Sequence, residues 1–219
     1  MTTTNAASEP LTFAEYERSH QVLRALLDAT ESNTAAGCRF FAAGGAALLR
    51  EHFALDAKLV AGAAYLCTET APRFGVCLSS RTGDTVDTDQ HNFHCWIDCQ
   101  GYYVDFMAPV FREAIAQASH TRRVPRRMFQ RAIASVPNDP WNFQRAGDFY
   151  YYVNPSLTEL FTHEKASGEA LLTNSALAWF SRPPTPIAPT YNLAWSGSDR
   201  KVRLRPSEIS GEWGKVSKK

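Results

Sequence analysis

The feature that most constrains this fold is a long apolar segment near the N-terminus. Ten consecutive residues, 40–49, carry no polar side chain. A helix over residues 37–53 would be apolar nearly all the way round, which predicts burial on most of its sides. Gly44 and Gly45 in mid-helix would each cost about 1 kcal/mol relative to alanine, so we expect another backbone to pass close to them. The segment therefore predicts a central helix that leans on a sheet.

The rest of the chain supplies both helices and strands, which predicts an α+β fold. A helix over residues 12–29 begins with a capping box formed by Thr12 and Glu15. Further helices are expected at 110–119, 126–135 and 156–181, the last starting with a Ser156–Glu159 capping box and interrupted at Gly168. Strands are expected at 58–66, 74–78, 93–98, 102–106 and 149–153, with a late hairpin at 191–195 and 201–205, a turn at 71–72 and a polar loop at 79–90.

Composition limits the organisation and the partners of the chain. At 219 residues, one domain over 1–219 is expected, with flexible ends at 1–10 and 206–219. The formal charge of +1 gives no reason to expect a nucleic acid partner. The arginines around 122–131 are interpreted as a solvated loop that leads into a helix. No apolar run is long enough to span a membrane, and the sequence does not indicate an oligomeric state.

Cysteine usage points to a reducing compartment. The five cysteines, at positions 38, 67, 77, 95 and 99, form an odd set without the spacing of a disulfide framework. Free thiols in the cytoplasm are the simplest explanation. Four of these cysteines are interpreted as buried thiols, and Cys38 is treated separately.

Cys38 lies at the predicted start of the buried helix, where a thiol can become a nucleophile. A helix N-terminus or a cationic neighbour can lower a cysteine pKa from about 8.5 to about 3.5–7.5. Taken alone, an isolated cysteine is more often a small buried hydrophobe. The case for a nucleophile therefore depends on which residues the fold brings to Cys38.

A predicted hairpin supplies a histidine and a carboxylate on one face. With Gln100-Gly101 as a two-residue turn, His94 and Asp105 become diagonal neighbours. With the turn moved back by one residue, they lie directly opposite each other, so either register brings them together. Asp105 would fix the tautomer of His94, and His94 would activate the thiol of Cys38. Together, Cys38, His94 and Asp105 predict a catalytic triad.

Three further residues are candidates for supporting roles. The backbone N–H of Cys38 and a side-chain amide could bind an oxyanion, and Asn33 is the nearest upstream amide. Trp96 and His91 are expected to line a groove beside the triad. No cofactor and no metal are predicted.

Several linked motifs resemble those of transglutaminase-like cysteine enzymes. The run at 37–50 and the strand segment 57–62 (AKLVAG) are similar to that superfamily's nucleophile helix and following strand. Residues 94–98 (HCWID) resemble its histidine strand, and residues 101–105 (GYYVD) resemble its approach to the catalytic aspartate. The resemblance implies a papain-like cysteine proteinase fold, with the cysteine helix packed on an antiparallel sheet that carries histidine and aspartate. We expect a small bacterial branch of this superfamily.

The expected function is cysteine-dependent acyl transfer through a thioester on Cys38. The acyl acceptor could be water, as in an amidase or peptidase, or an amine, as in a transglutaminase or acyltransferase. The substrate would be a peptide or a small amide or acyl compound.

Two alternatives come from other classes of protein. The chain could be a binding or scaffold protein that keeps the fold without turnover. It could also bind zinc, because His91, Cys95 and Cys99 are zinc-ligand types close together in sequence. On a strand, however, His91 and Cys95 would point to the face opposite His94.

Overall fold

The computed structural model describes residues 9–70, 73–82, 85–118, 122–136, 143–164 and 168–215. The helices within these ranges are α1 (Phe13–Asp28), α2 (Cys38–Phe53), α3 (Phe111–Gln117), α4 (Pro155–His163) and α5 (Glu169–Trp179), with short 3-10 turns at Thr34–Ala36, Ala108–Val110 and Ile133–Ser135. The strands are β1 (Ala57–Thr70), β2 (Arg73–Leu78), β3 (Ser80–Thr82), β4 (Thr85–Asp87), β5 (His94–Cys99), β6 (Tyr102–Asp105), β7 (Phe129–Ala132), β8 (Phe149–Val153), β9 (Thr190–Trp195) and β10 (Ser198–Arg203).

One antiparallel sheet of six strands organises these elements. Its order is β2-β1-β5-β6-β7, and β8 also pairs with β1. The long strand β1 makes this branching possible: residues 57–62 pair with β5, whereas Ala64 pairs with both Leu78 of β2 and Tyr151 of β8. Helices packed on an antiparallel sheet confirm the α+β class.

Helix α2 packs against this sheet, as the apolar run predicts. Its residues from Phe40 to Leu49 are buried except for Ala43. A Cβ atom at Gly45 would lie 2.4 Å from the ring of Phe106 and 2.8 Å from the side chain of Ile97. A Cβ atom at Gly44 would lie 2.8 Å from Leu23 of α1. The glycines therefore make room for side chains, and the expectation of a close backbone at this point is wrong.

A close backbone contact occurs instead at Gly62 in β1. A Cβ atom there would lie 1.9 Å from the carbonyl oxygen of Tyr152. The N–H of Asn154 donates to the carbonyl of Ala61 at 2.8 Å. Because only glycine leaves this space empty, Gly62 allows β8 to approach β1 closely.

The predicted helix over residues 126–135 is wrong, because β7 occupies its centre. Phe129–Ala132 pairs with β6 and extends the sheet. Phe129 and Gln130 are buried, and Gln130 exchanges two hydrogen bonds with the backbone of Leu11, at 2.9 and 3.0 Å. Long-range pairing thus outweighs local helix preference. Two of the nearby arginines form ion pairs: Arg122 contacts Glu69, and Arg126 contacts Glu113 at 2.5 Å and Glu208 at 2.7 Å.

Other local predictions need smaller corrections. The polar loop at 79–90 contains a hairpin of β3 and β4. In place of the single interrupted helix expected at 156–181, the structure has two helices, α4 and α5, and Asn154 caps α4 by accepting from the N–H of Leu157 at 3.1 Å. The predicted Ser156–Glu159 capping box is therefore wrong. Helix α4 begins at Pro155, and its N-cap residue is Asn154. The turn predicted at 71–72 lies outside the described residues.

In the segment from residue 206 onward, where we expect flexibility, Ile209 and Trp213 are buried. Trp213 is 1% exposed, and its backbone N–H donates to the backbone carbonyl of Met128 at 2.9 Å. In the described ranges, no helix has both the length and the apolar character that crossing a bilayer would require.

Candidate active site

Cys38 is the first residue of α2, as predicted. The chain reaches it through a 3-10 turn in which the N–H of Gly37 donates to the carbonyl of Thr34 at 3.2 Å. Gly37 precedes the helix and supplies no side-chain cap. The first N–H groups of a helix have no partner within the helix, and the helix dipole favours negative charge there. This position therefore stabilises a thiolate.

The β5–β6 hairpin brings His94 and Asp105 together in the first of the two predicted registers. Cys99 pairs with Tyr102, so Gln100 and Gly101 form the turn. Their φ angles are 51° and 83°, which is typical of a type I′ turn. Nε2 of His94 lies 2.7 Å from Oδ2 of Asp105.

Asp105 accepts hydrogen bonds from other groups besides His94. The hydroxyl of Tyr151 donates to Oδ2 at 2.9 Å, and the backbone N–H of Met107 donates to Oδ1 at 2.8 Å. The hydroxyl of Tyr16 donates to the backbone carbonyl of Asp105. Asp105 is 1% exposed, and these bonds satisfy the charge that burial would otherwise leave unpaired.

Aromatic rings enclose His94 on several sides. The ring centroids of Trp96, Phe111 and Tyr151 lie 6.1, 5.6 and 6.2 Å from that of His94. Burial raises the pKa of Tyr151 well above its ordinary value, and the charge of Asp105 raises it further. Tyr151 therefore remains a protonated donor. The enclosure keeps water from the His94–Asp105 pair and strengthens their interaction.

The other side of His94 faces Cys38. With Nε2 bound to Asp105, Nδ1 is the ring nitrogen left for the hydrogen bond with the Cys38 sulfur. A hydrogen bond from the Cys95 side chain lowers the pKa of Cys38, burial raises it, and the hydrogen bond and charge of His94 lower it again, to about 5. Burial lowers the pKa of His94, but the charge and hydrogen bond of Asp105 and the contact with Cys38 raise it to about 9. Between these values the site holds a thiolate–imidazolium pair.

The supporting candidates lie in different places. Trp96 is fully buried beside His94, whereas His91 is exposed. The amide of Asn33 is also exposed and exchanges hydrogen bonds with the side chain of Gln117, at 3.0 and 3.2 Å. The structure thus places Trp96 next to the triad, whereas the Asn33 amide is hydrogen-bonded to α3.

The residues of the zinc alternative do not converge. His91 is exposed, while Cys95 and Cys99 are fully buried. Across the described part of the chain, no group of three or more His, Cys, Asp or Glu side chains is arranged to hold a metal ion.

Sequence reasoning missed Tyr151, Tyr16 and Cys95 as members of the site. Tyr151 had a signal: residues 149–153 (FYYYV) read as a strand without polar alternation, which indicates burial or a groove wall. Its hydrogen bond to Asp105 required knowing that β8 pairs with β1. Tyr16 and Cys95 fitted core positions and gave no further signal.

Comparisons with known proteins bear on the whole chain. A solved structure described as "The crystal structure of genomics APC5867" is similar, with a TM-score of 0.80 and 25% sequence identity over 94% of this chain and 98% of that chain. No curated protein matches the sequence. Residues 12–213 match the family described as "Protein of unknown function (DUF2026)", and this range contains all three residues of the triad. The chain therefore belongs to the DUF2026 family.

Proposed function

We propose that this protein is a cysteine-dependent acyl-transfer enzyme with Cys38 as nucleophile, His94 as general acid and base, and Asp105 as the group that orients His94. One observation carries the proposal: the Cys38 sulfur, the His94 ring and the Asp105 carboxylate form a continuous chain of hydrogen bonds. A buried carboxylate, imidazole and thiol cost folding free energy when they are brought together. That cost is typical of a functional site.

The first half of the reaction forms a thioester. The Cys38 thiolate attacks the carbonyl carbon of an amide, and the carbonyl oxygen becomes an oxyanion. The imidazolium of His94 donates its proton to the leaving nitrogen, the C–N bond breaks, and the acyl group stays on sulfur. Asp105 stabilises the imidazolium before this transfer and fixes the ring throughout.

The second half returns the thiolate. Neutral His94 accepts a proton from water or from an amine, which attacks the thioester carbonyl. The C–S bond then breaks, Cys38 leaves as a thiolate, and His94 is again an imidazolium. The backbone N–H groups at the start of α2 are the donors that best fit the oxyanion, because they lie at the same end of the helix as the Cys38 sulfur.

The arrangement of elements also favours a likeness to the papain-like superfold and its transglutaminase-like branch. In this proposal, α2 is the nucleophile helix and the β5–β6 hairpin is the histidine–aspartate hairpin. The antiparallel sheet order supports the assignment, as does the position of Cys38 at the first residue of α2.

Access to the sulfur suggests a slender substrate. Cys38 is 6% exposed, whereas His94, Asp105 and Cys95 are 1% exposed or less. Of these residues Cys38 has the largest solvent-accessible fraction, so we expect a substrate to approach from the Cys38 side. Cys38 also lines neither of two cavities, of about 330 and 530 Å³. So small an exposed surface favours an extended peptide segment, a side-chain carboxamide or a small acyl compound over a bulky donor.

Acyl-enzyme trapping tests the proposal. Purified protein is incubated with a panel of activated esters and small peptide amides, quenched in acid and analysed by peptide mass spectrometry. We expect an acyl group on Cys38, lost on addition of hydroxylamine, and no acyl group on Cys38 in His94→Ala. Cys77→Ser is the matched control, because Cys77 is exposed and lies outside the site. Acylation confined to Cys77, with Cys38 unmodified by every donor, contradicts the proposal and favours a scaffold role.

A further inference from the structure

A second thiol contacts the nucleophile. Cys95 follows His94 on β5, pairs with Ala61 of β1 and is fully buried. Its side chain is hydrogen-bonded to the Cys38 sulfur, and its backbone N–H also donates to that sulfur. The described cysteines form no disulfide in this structure, so both sulfur atoms are in the reduced state.

The two thiols differ in which one carries the proton. The bond from Cys95 is the largest cause of the lowered pKa of Cys38. Burial, followed by the hydrogen bond and charge of Cys38, raises the pKa of Cys95 well above its ordinary value. Cys38 is therefore the thiolate and Cys95 the thiol that donates to it. A thiolate with a neighbouring thiol is the arrangement found in reversible thiol oxidation.

We propose that Cys38 and Cys95 form a reversible intramolecular disulfide when Cys38 is oxidised by a small hydroperoxide. This modification site does not depend on acyl transfer, because it needs only the contact between the two sulfurs and access of a small oxidant to Cys38. Cys38 starts a buried helix and Cys95 lies within a paired strand. An S–S bond of about 2.05 Å between them requires the two side chains to rotate toward each other.

The chemistry balances in two steps. The Cys38 thiolate attacks one oxygen of hydrogen peroxide, the O–O bond breaks, and the released hydroxide takes the proton of the His94 imidazolium to give water and a sulfenic acid. The sulfur of Cys95 then attacks the sulfur of Cys38. The S–O bond breaks, and the released hydroxide takes the proton of Cys95 to give the second water. Two thiol sulfurs lose two electrons, peroxide gains them, and two waters form; a dithiol reductant reverses the result.

The disulfide with Cys95 would protect Cys38 from irreversible oxidation. A sulfenic acid without a thiol partner is oxidised further to sulfinic acid, which dithiols do not reduce. Cys95 would capture Cys38 before that step. Cys67 and Cys99 are fully buried, while Cys77 is exposed, so Cys77 reports ordinary surface oxidation in the same sample.

Disulfide mapping after peroxide treatment tests the inference. The full chain is treated with hydrogen peroxide at neutral pH, blocked with N-ethylmaleimide, digested without reduction and analysed by mass spectrometry. We expect a linked peptide pair that joins Cys38 to Cys95, lighter by two hydrogens than its separate parts. Dithiothreitol should restore Cys38 alkylation in full. In Cys95→Ser, Cys38 should gain two oxygens and its alkylation should not return.

Matched controls separate this inference from its competitors. Cys77→Ser should leave the Cys38–Cys95 link unchanged, and Cys95→Ala provides a second variant if Cys95→Ser does not fold. Wild-type protein in which Cys38 proceeds to sulfinic acid, or in which peroxide links other cysteines and leaves Cys38 free, overturns the inference. A Cys38–Cys95 link in a protein that no acyl donor labels would sustain this inference and contradict the acyl-transfer proposal.

Discussion

Tyr151 donates a 2.9 Å hydrogen bond to Oδ2 of Asp105, the same oxygen that lies 2.7 Å from His94. Because Tyr151 belongs to β8 and Asp105 to β6, the bond connects β8, which pairs with β1 outside the main strand order, to the triad. The carboxylate is thus fixed from two sides before it orients the imidazole. The tyrosine acts through Asp105 and is a positioning residue.

Tyr151→Phe removes this donor while keeping the ring. A hydrogen bond to a charged group contributes about 1.5–3 kcal/mol, so we expect the free energy of unfolding to fall by about 1–3 kcal/mol. We also expect kcat/KM for an acyl donor to fall by about tenfold, which corresponds to 1.4 kcal/mol. Urea denaturation and steady-state kinetics measure the two effects.

Tyr152→Phe serves as the control for that substitution, because Tyr152 neighbours Tyr151 in sequence but is 54% exposed. Its unfolding free energy should change by less than about 0.5 kcal/mol. Equal effects of the two substitutions would show that the Tyr151 hydroxyl has no special role.

Asp105→Asn keeps the shape of the side chain and removes its charge. The charge of Asp105 raises the pKa of His94, so that pKa should fall from about 9 to below its ordinary value of about 6.5. At neutral pH the imidazole would then be neutral, and activity should fall by about 10²–10⁴-fold. NMR titration of His94 measures the shift, with Asp98→Asn at the end of β5 as the control. A His94 pKa that stays near 9 would contradict the role of Asp105.

The local patterns anticipated much of this site. A buried helix with cysteine at its start and a hairpin with a turn at Gln100-Gly101 both follow from short-range rules. Tyr151 could not be assigned in the same way, because its partner lies 46 positions away in the chain. Residues 126–135 were misread for a related reason: the pairing of β7 with β6 is invisible to local periodicity. Asn33 lies near Cys38 in sequence, but its side chain is turned toward Gln117.

Gly62→Ala tests how tightly β8 is packed on β1. The added Cβ would lie 1.9 Å from a backbone oxygen, which cannot move without shifting a strand. We expect a loss of about 3 kcal/mol in unfolding free energy, at the upper end of overpacking costs. Gly45→Ala should lose less, about 1–2 kcal/mol, because side chains can yield and the helix gains about 1 kcal/mol. Urea denaturation compares them, and a neutral Gly62→Ala would contradict this account of β8.

The free energy of unfolding should rise with pH in the acidic range and then stay nearly constant. Cys38 has a folded pKa of about 5, below its ordinary 9.0, so its contribution to stability is complete above pH 9, falls as pH falls from 9 to 5, and is gone below 5. Burial lowers the pKa of His20 to about 4 from 6.5, so the unfolded chain binds a proton there that the native state does not. His94, raised to about 9 from 6.5, contributes stability below pH 6.5 that is lost as pH rises through 9.

The sum of these three groups gives a specific curve. Unfolding free energy should increase between about pH 4 and 6.5, and then stay nearly constant to about pH 9, where the opposite slopes of Cys38 and His94 cancel. Cys38→Ser should reduce the rise between pH 5 and 6.5 to the part that His20 contributes. Urea midpoints measured across this range check the curve, and greater stability at pH 4.5 than at pH 7 would be inconsistent with it.

The most direct test of the thiolate–imidazolium pair is the rate at which iodoacetamide alkylates Cys38 as a function of pH, resolved from the other cysteines by peptide mass spectrometry. For the wild-type protein we predict a rate that rises with a midpoint near pH 5 and is already at its plateau at neutral pH. In His94→Ala the midpoint should move upward by at least about one pH unit, since a cationic neighbour lowers a thiol pKa. A midpoint near pH 8.5 in both proteins, or a Cys38 that reacts only after unfolding, would contradict the account.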